Sequence, residues 1–138
     1  MVTISKENGL GWTTCAFDDA GAAARNIRND ATTISWATPR AVQDVTGLDK
    51  SAIERLLNLA DFTGTVTVVF NDAANQCFDV FKTVGNTSVN RTCTQTISGQ
   101  TLANEVVVTD FPLNRAADGA FTAAVPFALA DGVVPTWS

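Results

Sequence analysis

The sequence predicts an all-β domain with one α-helix, a β-sandwich or barrel of roughly seven to eight mainly antiparallel strands flanked by a helix near residues 49–60. Three observations predict it. Short runs that alternate apolar and polar residues recur between clusters of Gly, Asn, Asp and Pro. Asp118-Gly119, a strong two-residue hairpin turn signal, separates two such runs. A single segment, residues 48–61, switches to a helical period.

In chain order, residues 1–11 are polar, contain Gly9 and Gly11, and read as a flexible N-terminal arm. Residues 12–17 read as a strand that ends at the turn formers Asp18-Asp19-Ala20-Gly21. Residues 22–30 fit either a loop or a short helical turn. Residues 32–38 form a second strand, stopped by Pro39. In residues 48–61, Leu48, Ala52, Ile53, Leu56, Leu57, Leu59 and Ala60 fall on one half of a helical wheel. Lys50, Ser51, Glu54, Arg55, Asn58 and Asp61 fall on the other. Ser51 and Glu54 match a capping box, and Asp49 places negative charge at the helix start. The apolar half of this helix is expected to lie on a sheet or a neighbouring subunit.

Beyond it the period returns to two. Val66, Val68 and Phe70 share one face of a strand over residues 64–70, and residues 77–82 are expected to pair back as a hairpin. Residues 85–88 are a turn, 91–98 a Thr-rich strand and 105–113 a longer Val-rich strand. After the Asp118-Gly119 turn, Phe121, Ala123, Val125, Phe127 and Leu129 share a face. Pro126, on the opposite phase, cannot donate a ladder hydrogen bond, so this strand is expected at an edge or a bulge. The whole chain, residues 1–138, reads as a single domain.

Composition narrows the function classes. The chain is 46% hydrophobic but only 17% charged, against about 25% for an average soluble protein, which suits a surface covered by copies of itself. The net charge is −5 and the nine basic residues are scattered, so the electrostatic footprint of phosphate binding is missing. No apolar run approaches the ~20 residues of a membrane-spanning helix, and no membrane partner is expected. The three cysteines lack paired spacing and the first residues lack a signal-peptide pattern, so reduced thiols are expected.

Catalysis has little to work with. There is no histidine, which removes Ser-His-Asp and Cys-His arrangements and a proton donor tuned near neutrality. Asp18-Asp19 is the one adjacent carboxylate pair, and it sits in a turn signal. Gly9-Leu10-Gly11 lacks the third glycine and the flanking strand and helix of a dinucleotide site. No catalytic, cofactor or metal residues are assigned. Trp12, Trp36 and Trp137 fit a core or an interface better than a sugar platform.

Two stretches carry a family resemblance. Residues 37–56, Ala-Thr-Pro-Arg-Ala-Val-Gln-Asp-Val-Thr-Gly-Leu-Asp-Lys-Ser-Ala-Ile-Glu-Arg-Leu, run from a strand and loop into the amphipathic segment. The C-terminal part passes through Phe111-Pro112-Leu113-Asn114-Arg115, turns at Asp118-Gly119 and ends in Pro135-Thr136-Trp137. With these elements the sequence resembles the major tail tube proteins of long-tailed, siphovirus-like bacteriophages. The resemblance implies a virion protein, assembled in the host cytoplasm, whose hexameric rings stack into a tube for DNA ejection. It implies self-contacts, tape-measure, tail-tip and tail-terminator partners, and DNA that passes without specific binding. It carries no catalytic residues. Thr3, Lys6, Arg40, Asn86, Arg91, Phe111, Leu113 and Trp137 are assigned to self-assembly, and Asp72, Asp79 and Asp110 to an acidic lumen. The arm and the polar loop over residues 86–91 are expected to order on stacking. A tail terminator, a capsid decoration protein and a contractile-system tube share this assembly logic; a monomeric ligand-binding β-sandwich is the further alternative.

Overall fold

The computed structural model describes Lys6 and residues 9–138, so Thr3 and most of the expected arm lie outside the described residues. Strand β1 (Trp12–Asp18) is followed by β2 (Ala24–Asn26), β3 (Ala31–Ala37), β4 (Arg40–Asp44), β5 (Arg55–Ala60) and β6 (Thr63–Val69). Helix α1 (Cys77–Phe81) comes next, then β7 (Arg91–Ile97), β8 (Gln100–Val108), β9 (Leu113–Arg115) and β10 (Phe121–Leu129). One antiparallel sheet runs in the order β2-β1-β7-β8-β10-β6-β3, with β9 also on β10; β4 and β5 pair separately. The all-β expectation with one helix therefore holds.

The sheet rolls over its own core. Strands β1 and β3 lie toward opposite ends of the path, yet Trp12 of β1 meets Trp36 of β3 edge-on at 5.3 Å. Phe17 of β1 likewise meets Phe127 of β10 at 5.4 Å. The alternation read from sequence sets the inner face. Val66 and Val68 of β6, and Ala123, Val125 and Phe127 of β10, are buried, with Phe17, Ile27, Phe62 and Phe81 among them. Pro126 of β10 pairs with Thr65 on the β6 side. On the other side β9 pairs with residues 121–123 and β8 with 127–129, so Pro126 lies in the gap between two neighbours. Its missing N–H costs no ladder bond there.

Two expectations are corrected. Residues 49–60 form no helix; residues 55–60 are strand β5, paired with β4. Asp44 captures the N–H and hydroxyl of Thr46, and the Thr46 Oγ1 accepts the Glu54 N–H at 2.9 Å. The Val45 N–H donates to the Glu54 carbonyl, closing a hairpin where a capping box was expected. Cross-strand bonding has overridden helical period. Conversely, residues 77–82 are no strand. Cys77, Val80 and Phe81 are buried at i, i+3 and i+4, a helical spacing hidden inside an alternating pattern. Asp30 reaches across from the start of β3, and its Oδ2 accepts the Cys77 N–H at 3.0 Å.

Buried polar groups lock this arrangement. Asp30 also accepts the Asn71 Nδ2 at 2.7 Å, while its own backbone carbonyl accepts the Val69 N–H. Arg91 is 1% exposed, with Nη1 donating to the carbonyls of Asp18 and Val80 and Nη2 to the Thr83 hydroxyl. Gln95 accepts the Trp12 indole N–H at 3.0 Å and points its amide nitrogen at the sulfurs of Cys15 and Cys93.

Two outcomes are expected from this core. Asp30→Ala strands the Cys77 N–H and the Asn71 amide, and should lower stability by about 1–3 kcal/mol per unsatisfied donor in urea unfolding. All three cysteines are free and buried, and burial pushes the Cys93 thiol up to about 12. A disulfide reagent at pH 8 should therefore leave the native thiols unmodified and titrate all three in denaturant.

Candidate assembly surface

The β4–β5 hairpin stands apart from the main sheet. Among the described residues its strands pair with one another only, and residues 40–59 contain no buried position. Arg40 pairs with Ala60, Val42 with Leu57, Gln43 with Leu56 and Asp44 with Arg55, with a register shift between residues 40 and 42. Arg40 fixes the base by donating Nε to the Asn58 carbonyl at 2.9 Å. The opposed charges of Asp44 and Arg55 suit a directly facing pair.

The apolar side chains of this hairpin are left largely exposed. Leu56 is 56% exposed, Leu57 58% and Leu59 91%, and Leu48, Ile53, Val42 and Val45 are exposed beside them. Successive strand residues point to opposite faces, so Leu57 and Leu59 share one face and Leu56 occupies the other. The patch continues onto the body: Leu57, Leu59, Ala60 and Val134 line one open groove. Full burial of a single leucine is worth roughly 1.5–3 kcal/mol, so a cluster of this size leaves considerable apolar surface in water in the single chain.

The residues assigned from sequence are dispersed. Arg40 lies in the hairpin and Lys6 and Asn86 are exposed. Leu113 of β9 is exposed, while Phe111 packs against the core and meets Phe81 at 5.7 Å. Trp137 is half-exposed, bridges to Leu102 and lies 6.4 Å from Trp36. Arg91 is buried, its guanidinium bonded to two internal carbonyls and the Thr83 hydroxyl. Asp72 is exposed next to the loop before α1, Asp79 sits on α1 paired with Lys82 at 3.0 Å, and Asp110 follows β8. The hairpin leucines escaped assignment because their spacing also fits a helix packed on the body; the available signal was an apolar segment with no matching apolar partner.

The chemistry-bearing residues do structural work. Asp19 accepts the N–H groups of Gly21 and Ala23 and the Arg25 Nε, closing the β1–β2 turn. Among the described residues no group of three or more Cys, Asp or Glu side chains is placed to hold a metal ion. No helix among them is long and apolar enough to cross a membrane.

No protein-family model matches the chain, and no characterised protein matches it in sequence. The fold does match solved structures. A chain from the tail of an empty gene transfer agent particle, refined with C6 helical symmetry, superposes with a TM-score of 0.72 at 15% identity, over 96% of this chain and 98% of that one. A chain from the virion of a native gene transfer agent particle superposes at 0.69 and 15% identity, over 95% and 99%. Both alignments span nearly the full length of each chain, so the likeness is one of overall fold.

The turn carboxylates set an acid limit. Bonds from the Ala23 N–H, Arg25 and the Gly21 N–H hold Asp19 below the usual carboxylate range. The Asn75 N–H and Lys82 do so for Asp79, and the Thr46 hydroxyl and N–H for Asp44. A depressed folded pKa contributes stability above the unfolded value, near 3.9, that is lost as pH falls through the folded value. The thermal midpoint should therefore owe these groups a constant contribution from about pH 7 to 5 and lose it below about pH 4. Asp19→Asn should flatten part of that acid fall in a pH series of melting curves.

Proposed function

We propose that this chain is a structural subunit of a phage-like tail, assembling with copies of itself into hexameric rings that stack as a tube. The observation that carries the reading is the projecting hairpin, whose leucines lie exposed on both faces of a fold shared with a tail chain. A two-stranded hairpin alone is marginal in water, so its apolar faces call for neighbours. Neighbours that are copies, meeting head to tail, close into a ring when the rotation permits.

The tube would serve as a conduit for DNA. A net charge of −5 and scattered cations disfavour adhesion of phosphate, with Asp72, Asp79 and Asp110 as the assigned lumen acids. Tape-measure, tail-tip and terminator proteins are the partners this role requires, and the virion is its location. No catalytic step is assigned.

The double variant Leu57→Ser, Leu59→Ser tests the reading. It removes exposed apolar surface and should shift the urea unfolding free energy by no more than about 0.5 kcal/mol per site. Under negative-stain electron microscopy over a concentration series, the unmodified chain should form open-ended hollow tubes, and the variant should stay dispersed. Single rings that never stack would favour a terminator. Tubes of equal yield from the variant would remove the hairpin from the assembly.

A further inference from the structure

Among the described residues, the seam of the rolled sheet is open along β3. Strand β3 ends the sheet path and, among the described residues, pairs with β6 alone. In an antiparallel strand alternate residues aim their N–H and C=O groups at each neighbour, so half of this strand's backbone faces outward. Among the described residues, no backbone or side-chain group beyond β6 bonds to the backbone of residues 32–37. The strand reads Ala-Thr-Thr-Ile-Ser-Trp-Ala, without the charge or proline that usually protects an exposed edge. A cleft of about 550 Å³ runs beside it, lined by four consecutive residues of β3, Ala31–Ile34, and by Leu10 and Trp12 among others. Consecutive residues alternate faces, so the cleft borders the strand's edge.

The facing wall is already closed. Asn26 accepts the Cys15 N–H and donates to the Thr13 carbonyl, and Arg28 donates to the Trp12 carbonyl. These bonds occupy the outer edge of β1. A segment folding back from Gly9 as a hairpin along its own β1 would find no free ladder there.

We propose that the open edge of β3 receives, as an added β-strand, residues 2–5 of a second copy of this chain. The segment is Val2-Thr3-Ile4-Ser5, alternating apolar β-branched residues with small polar ones, a pattern suited to a strand with one face on an apolar floor. Gly9 and Leu10 line the cleft, and Lys6 is exposed. Residues 2–5 lie four to seven residues before Gly9, a reach of roughly 13–25 Å in extended chain, enough to leave one body for another. Every copy then offers one donor segment and one acceptor edge, a head-to-tail contact. The inference rests on the self-assembly reading and adds the contact that would set its register.

The experiment mixes two separately prepared chains, one carrying Ile4→Cys and the other Thr32→Cys, Thr33→Cys or Ser35→Cys in turn. The native thiols are buried and stay out of the chemistry. Mild oxidation at assembling concentration should give an intermolecular disulfide at one of the three positions, at least about tenfold above the Ile4→Cys with Asp118→Cys control, since only paired strands hold Cβ atoms within bonding range. Equal linkage to the control overturns the proposal, as does a link formed only within one chain carrying both substitutions. Electron microscopy of the same samples separates the two readings. Tubes without the link remove the strand addition and leave the tail subunit standing, whereas dispersed chains without the link count against both.

Discussion

Two buried charged side chains hold helix α1 from opposite directions, and the rest of the body depends on that grip. Asp30, at the start of β3, binds the first N–H of the helix and the Asn71 amide beside β6. Arg91, at the start of β7, binds the Val80 carbonyl and Thr83 at the other end, and the Asp18 carbonyl at the end of β1. Along the hydrogen-bonded path of the sheet, among the described residues, the β3–β6 side and the β1–β7 side are far apart. The helix joins them by the short way and covers the core at Phe17 and Phe81. A five-residue helix has little stability of its own, so these tertiary bonds, with burial of Cys77, Val80 and Phe81, are what make it a helix.

That dependence explains where the sequence misleads. The β-strands that build the core were legible because their alternation is cut by a partner on one face: Val66 and Val68, or Val125 and Phe127. The Asp118-Gly119 turn was legible because its chemistry is local; Gly119 takes a positive φ of 94° and Ala116 bonds across to Ala120. At residues 77–82 the same six letters fit both periods, and the choice is made by Asp30, 47 residues away. No window along the chain contains that information.

Residues 48–60 failed for the opposite reason. Their helical wheel is clean and their capping residues are present, but Thr46 takes the Glu54 N–H and Arg40 takes the Asn58 carbonyl. The segment is as apolar as expected, but the element that carries it is a paired strand and not a helix. Leu56 and Leu57, adjacent on a helical face, are thrown to opposite faces by the strand. Of the assembly residues assigned from sequence, Arg40 sits in this hairpin, whereas Arg91 was drawn from a polar loop whose neighbouring turn in fact consumes it. A basic residue next to turn formers carries no sign of whether its guanidinium faces water or three buried oxygens.

Among the described residues the hairpin and the seam leave two different kinds of bonding capacity unused, and the difference bears on how such a chain avoids uncontrolled aggregation. Apolar association through the leucines is strong but undirected, since burial area sets its size and many poses bury similar areas. Backbone pairing along β3 adds less per residue but tolerates few registers, because a one-residue slip turns every side chain to the wrong face. A surface offering only leucines would stick to any copy in any pose, and one offering only an edge would extend sheets without limit. Placing the two on separate elements, one projecting and one recessed beside a cleft, means that a neighbour satisfies both only in a narrow set of orientations. With just 17% of residues charged, little long-range repulsion enforces order, so that geometric coincidence is the main restraint on wrong contacts.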